Sequence, residues 1–414
     1  MALTPAARLR AKHFRSLAEL QKELIGLANP INPSGNIGVP TFNGVSIAPI
    51  QEGEHRGETV NGGHDYPLYP EANPTLAALG EIYCAIEGGK RAFPMDDGRM
   101  ALSAIFKLLP HGSRIIFAPS DFYPGDYGLI EELKFHSNIT VDIVKDTRPE
   151  TLRSAMRKNT HMIFCEVLTN PLLQISNLRN VTEFARENNL ISVVDNTCTP
   201  FAIRPFDFGI DLVAHSLTKH LSGDGDSYGG VVLVSPTSPR ADEFIGRLDH
   251  ICCAHGYKMT PETAHKLITD APRVMAETFQ RYATAEKIAL QLAAHPAVAK
   301  VLHPALPEHP QHDLFLQDLH ACGGGLVTFI LKGGPQAIDA FFRASEITQA
   351  SSLGMAITVL YDFARQSKSI RAMSVEDRRK KLGYEPGMVR MAVGLEQPGT
   401  LKRQVSRGLA ACPG

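Results

Sequence analysis

Two apolar runs end in residues able to do chemistry. VVDN (193–196) closes on Asp195, and DLVAHSLTKH (211–220) closes on Ser216, Thr218 and Lys219. Taken alone, the acid reads equally well as a helix cap or a solvated loop residue, and a lone lysine reads as a surface charge. The combination is different. Two hydroxyls beside the lysine can hold a phosphate, and the following GDGDSYGG (223–230) lets the backbone come close to a ligand.

One cofactor uses both groups. Pyridoxal 5'-phosphate (PLP) needs an amine for a Schiff base and a carboxylate opposite its pyridine nitrogen. That carboxylate keeps the nitrogen protonated and the ring able to accept electrons, so Lys219 and Asp195 are candidates for the two roles. A third segment, DDGRMALSAIF (96–106), places Gly98 and Arg99 in a turn that opens a helix. Free N–H groups and the dipole at a helix start attract phosphate, although a plain turn competes as a reading. Asp96 and Asp97 would repel phosphate, so they are expected to cap the helix or face water.

Such residues need strand ends to stand on. RIIFA (114–118), TVDIV (140–144), HMIFCEV (161–167), LISVVD (190–195) and GGVVLV (229–234) read as strands. Helices are predicted near 98–109, 125–136, 148–158 and 177–188. The alternation predicts an α/β fold with a mostly parallel sheet covered on both faces, binding its ligand at the carboxyl ends of the strands. Further on come a helix near 273–294, a strand at 326–331, a helix near 335–345 and a strand at 388–393. These predict a smaller C-terminal α/β domain. The expected division is 1–65 for an N-terminal helix and extended arm, 66–268 for the PLP-binding domain, and 269–414 for the C-terminal domain. The first helix is amphipathic and suits packing against a neighbouring subunit.

Composition narrows the partners. The 414 residues are 43% hydrophobic with a formal net charge of -1. A near-neutral chain offers no electrostatic reason to bind nucleic acid or an anionic membrane. No apolar run is long enough to span a bilayer, and the N-terminus lacks a signal peptide's apolar core. A small molecule is the expected partner. Seven scattered cysteines without a CxxC pair fit a reducing, cytoplasmic setting. His303, His309 and His312 fall in HPALPEHPQH and read as a solvated, proline-rich turn rather than a metal site. No metal is expected anywhere.

The stretch 193–233 resembles the signature of the Cys/Met-metabolism family of PLP-dependent enzymes, and weaker similarity runs from about 66 to the C-terminus. The family includes cystathionine γ-synthase, cystathionine γ-lyase, methionine γ-lyase and cystathionine β-lyase. The resemblance implies an aspartate-aminotransferase-like architecture (fold type I), with Lys219 as the Schiff-base lysine and Asp195 as the partner of the pyridine nitrogen. It further implies Ser216, Thr218 and the backbone of Gly98 and Arg99 at the phosphate, and Asn170 near the ring oxygen. Tyr123 would stack on the ring and move protons. Ser352 and Arg390, with Ser351 beside them, would hold the substrate carboxylate, which suits a bidentate guanidinium.

Three departures stand out. The family's Tyr-x-Arg before NPT reaches a neighbouring subunit's phosphate, yet YPLYPEANPT (66–75) offers Tyr69 and no arginine; Arg99 is a candidate to supply the missing charge. The residue before Ser352 is Ser351, where cystathionine-handling γ-enzymes tend to carry glutamate. YPGD replaces the usual turn after Tyr123, and NTCTP is one residue short. These changes suggest a specialised member.

The expected activity is γ-elimination from a γ-substituted L-amino acid, giving a 2-oxo acid and ammonia, or an unsaturated amino acid, with release of the leaving group. γ-Replacement is the alternative, and β-elimination a third. A PLP-fold module without activity is disfavoured, because a retired site has no need of Lys219, Asp195, Tyr123 and Arg390 together. A nucleotide-binding protein is disfavoured because neither GxxxxGK[ST] nor a strand-borne GxGxxG is present. The resemblance also implies a homotetramer built from dimers.

Overall fold

β-Branched and aromatic residues in short runs settle into a sheet buried on both faces. The computed structural model describes residues 5–30, 38, 39, 41, 73–119 and 126–413. Its larger sheet contains β1 (Arg91–Met95), β2 (Arg114–Phe117), β3 (Thr140–Ile143), β4 (Thr160–Glu166), β5 (Ile191–Asp195), β6 (Leu212–Ser216) and β7 (Gly230–Val234). The order across the sheet is β1-β7-β6-β5-β4-β2-β3. The run from β6 to β3 is parallel, and β7 lies antiparallel to both of its neighbours. Successive residues alternate between two cores. Val193 and Leu212 belong to one, Val194 and Val213 to the other. Each such fully buried side chain contributes about 1.5–3 kcal/mol of transfer free energy.

Helices close both faces. α1 (Pro5–Ala28), α2 (Pro74–Glu87), α3 (Gly98–Phe106), α4 (Asp126–Ser137), α5 (Pro149–Ala155) and α6 (Leu178–Glu187) are followed by α7 (Ala241–His255) and α8 (Pro261–Ala293). Residues of α2, α6 and α8 pack on one face; residues of α3, α4 and α7 pack on the other. Local chemistry starts the helices where the sequence permits. Asn73 accepts from the N–H groups of Thr75 and Leu76, with Pro74 in the first turn, and Thr260 caps α8 ahead of Pro261.

A second sheet of β8 (Val298–Leu302), β9 (Leu326–Leu331), β10 (Thr348–Gln349), β11 (Val359–Tyr361) and β12 (Met388–Ala392) follows, in the order β10-β11-β12-β9-β8. The 33-residue α8 reaches from the large sheet to the small one, so the expected boundary at 268/269 falls inside a continuous helix.

In α1, Leu17, Leu20 and Leu24 are buried in the core shared with α2 and α8. One expectation changes. The histidine turn is not solvated. His303 and His309 are buried, and their Nδ1 atoms accept from the N–H groups of Ala305 and Gln311, each at 3.2 Å. These rings cap tight turns from inside. The strand β1 escaped notice because Pro94 argues against a strand; it is tolerated because β1 lies at the sheet edge. All seven cysteines are free thiols, and among the described residues no helix is long and apolar enough to cross a membrane.

Candidate active site

The carboxyl ends of β4, β5 and β6 carry Glu166, Asp195 and Ser216 as their last residues. Above them opens a cavity of about 240 Å³. Asp97, Gly98, Arg99, Asn170, Asp195, Ser216, Thr218, Lys219 and Ser351 all contribute to its wall. Residues far apart in sequence are thus joined, as expected where parallel strands end.

The amine of Lys219 donates to Ser352 Oγ at 3.3 Å. Burial first, then the charge of Arg390, holds this amine below the ordinary lysine range. The carboxylate of Asp195 accepts from the Thr197 N–H at 2.8 Å, and Thr197 Oγ1 in turn accepts from the Ser216 N–H at 2.8 Å. Thr197 therefore couples the tips of β5 and β6. Burial pushes the Asp195 carboxyl up, opposed by the bonds from Thr197 and by the charge of His215. A desolvated carboxylate of this kind is relieved by a cation placed beside it.

At the other end α3 starts against Ser216. A Cβ added to Gly98 would lie 2.8 Å from Ser216 Cβ and 3.0 Å from its Oγ, so only glycine lets the helix start come this close. Asp97 is the N-cap of α3, accepting from the Arg99 N–H at 2.7 Å. This is the expected capping role, and it engages the Arg99 N–H, the group expected at a phosphate. The Arg99 side chain is exposed, with Nε 3.5 Å from Asp97 Oδ1. Thr218 is also engaged locally. Its hydroxyl donates to Gly229 O at 3.3 Å and accepts from Gly229 N–H at 3.1 Å, strapping the Lys219 turn to β7.

Arg390, on β12, is buried behind the wall rather than on it. It donates to Asn170 Oδ1 at 3.3 Å and to the carbonyl oxygens of Ser351 and Ser352 at 2.9 and 2.8 Å. Its guanidinium lies over Tyr361 and Phe363, 5.6 and 5.3 Å from their ring centres. The loop carrying Ser351 and Ser352 presses on the lysine turn: a Cβ on Gly354, at φ 73°, would lie 2.5 Å from the backbone of His220. Tyr123 and Tyr69 lie outside the described residues.

Sequence reasoning did not single out Thr197, Glu166, Cys198 or Tyr228, which also line the cavity. Glu166 and Tyr228 sit beside residues already singled out, and the NTCTP segment holds Thr197 and Cys198. Only the strand register reveals that they face the same space.

The donor set fits PLP. An amine and a buried carboxylate line one wall, and hydroxyls and a helix start meet at a position where no Cβ fits. The fold and this crevice define a PLP-dependent enzyme of fold type I. The comparisons agree. The sequence profile of the Cys/Met metabolism PLP-dependent enzymes matches residues 43–410. The chain is 32% identical over 352 residues to an L-methionine gamma-lyase of Pseudomonas deceptionensis, covering 84% of this chain and 86% of that one. It is 28% identical over 378 residues to a cystathionine gamma-lyase of Bacillus subtilis, covering 91% and 95%. The structure of a cystathionine gamma synthase from Xanthomonas oryzae pv. oryzae, in complex with aminoacrylate and cysteine, superposes with a TM-score of 0.83 at 27% identity, covering 95% and 98%. The chain belongs to the Cys/Met metabolism family of PLP-dependent enzymes.

Proposed function

We propose that this enzyme eliminates the γ-substituent of an L-amino acid, releasing a 2-oxo acid, ammonia and the leaving group. The observation that carries the reading is one cavity lined by both Lys219 and Asp195, with Arg390 braced behind it. Bound PLP supplies an electron sink for carbanion chemistry at the substrate Cα. Asp195 would hold the ring nitrogen protonated. Ser216, Thr218 and the start of α3 would hold the phosphate, with Asn170 toward the ring oxygen. Arg99 would contribute the positive charge, exchanging Asp97 for phosphate.

Arg390 orients the substrate. Its Nη2 donates to two backbone carbonyls, and a substrate carboxylate exchanges with these acceptors while Ser352 assists. Lys219 Nζ would remove the Cα proton and pass it on, because that carbon keeps no hydrogen in a 2-oxo acid. An amine held below the ordinary lysine range is the better base near neutral pH. Tyr123 carries the second proton transfer, at Cβ or the leaving atom. Ser351 at the position where the cystathionine-handling relatives tend to carry glutamate supports elimination over γ-replacement, because it removes a carboxylate that a cationic amino group of a second amino acid would meet. We assign the enzyme to the cytoplasm and to a homotetramer built as a dimer of dimers; sedimentation analysis tests the tetramer.

The deciding experiment incubates the holoenzyme with γ- and β-substituted amino acids, with and without an added thiol. Ammonia and 2-oxo acid released from γ-substituted substrates alone are expected. A new thioether, with little ammonia, would transfer the assignment to γ-replacement.

A further inference from the structure

Beneath the cavity lies a pair of ionisable groups that the proposed reaction does not use. Glu87 ends α2, and His215 is the penultimate residue of β6. Each side chain is 1% exposed, and His215 Nε2 lies 2.7 Å from Glu87 Oε1. The same oxygen accepts from Asn196 Nδ2 at 2.9 Å. Asn196 directly follows Asp195, and its own side chain is fixed further by Thr199 Oγ1, which donates to Oδ1 at 2.6 Å, and by Ile203 O at 3.2 Å.

One carboxylate oxygen therefore ties together the tips of the two strands that present Asp195 and Ser216. Asp195 is paired in register with Ala214, the neighbour of His215. Alternation places His215 on the face of Val213, opposite to Asp195, so the pair reaches Asp195 through the backbone of Asn196. Mere stability does not explain the pair, since burying bonded polar groups gains little over well-packed apolar residues. Its position at these two strand tips does.

We propose that the hydrogen-bonded pair of Glu87 and His215 fixes the tips of β5 and β6 and so positions Asp195 toward the cofactor's ring nitrogen. Both are positioning residues: neither touches the cofactor. The inference rests on the reading of Asp195 as the ring-nitrogen partner.

The test reconstitutes the holoenzyme with PLP carrying ¹⁵N at the ring nitrogen and records its chemical shift at one near-neutral pH, together with PLP affinity and the melting temperature. Wild type is expected to show a protonated ring nitrogen, and Asp195→Asn a neutral one. Glu87→Leu and His215→Leu, which remove the shared acceptor or its donor, are expected to move the shift part of the way and weaken PLP binding roughly three- to tenfold, as for up to one unit of lost proton affinity. The double variant Glu87→Gln/His215→Gln keeps a hydrogen-bonded pair of similar size. It is expected to retain both the melting temperature and the ring-nitrogen shift, and it serves if a single variant does not fold. A wild-type shift in the single variants, or a shift lost in the folded double variant, overturns the inference while leaving Asp195 in place. An unchanged shift in Asp195→Asn instead overturns the reading of Asp195 itself, and this inference with it.

Discussion

The two ends of the cavity are built on different principles. At the proposed ring end Asp195, Lys219 and Arg390 are desolvated, and each is held by hydrogen bonds: Thr197, two residues on, for Asp195, the distant Ser352 for Lys219, and Asn170 with the 351–352 carbonyls for Arg390. At the proposed phosphate end the fit is made by backbone, with Gly98 against Ser216, while the charged side chains Arg99 and Asp97 stand partly in solvent beside each other. Buried charges cannot be removed without leaving a partner uncompensated. Exposed ones are screened and replaceable. The ring end should thus tolerate almost nothing, and the phosphate end should tolerate a change of charge but not of shape.

The largest expected effect is at Lys219. Lys219→Ala should lower turnover by roughly 10²–10⁴-fold through loss of the base, and borohydride should no longer fix PLP covalently to the protein. Retained covalent labelling in this variant would break the assignment of the amine. Next comes Arg390→Gln, for which kcat/KM should fall about 10²-fold, or ~3 kcal/mol, with one interaction charge gone. The same variant has a pH signature. A nearby cation disfavours the protonated amine, so removing it raises the Lys219 pKa. The acid limb of the rate of PLP uptake by the apoenzyme should move to higher pH, and an unmoved limb would mean that burial alone sets this amine.

Gly98→Ala should cost about 1–3 kcal/mol of stability from overpacking and weaken PLP binding more than pyridoxal binding, as followed by cofactor fluorescence and thermal melting. The smallest effect is at Arg99. Arg99→Met should weaken PLP binding no more than about tenfold, as for an exposed ion pair, and the difference from wild type should shrink with added salt. If Arg99→Met proves more damaging than Gly98→Ala, the contrast between the two ends is reversed.

Much of this was legible beforehand, for reasons that can be named. The strands β2 to β5 and β7 were read within a residue or two, since β-branched runs bounded by turn residues have few other uses. Lys219 and Asp195 were legible because a lysine and an acid at the ends of apolar runs are costly unless they serve a ligand. Edge strand β1 was hidden by Pro94, and the buried role of His303 and His309 by the prolines around them. The engagement of the Thr218 hydroxyl with Gly229 was invisible, because it depends on β7 returning antiparallel beside β6.

The amino-acid sequence by itself determined the periodicities, the caps and the chemical inventory: which strands form, where α3 can begin, and which amine and acid are on offer. Tertiary structure decided who faces whom. It set Arg390 behind Asn170 and the 351–352 loop, placed Thr197 between two strand tips, and tied Glu87 to His215. Local preference acts over a few residues, whereas these contacts join groups separated by tens to hundreds of residues and exist only once two sheets and the helix between them have packed.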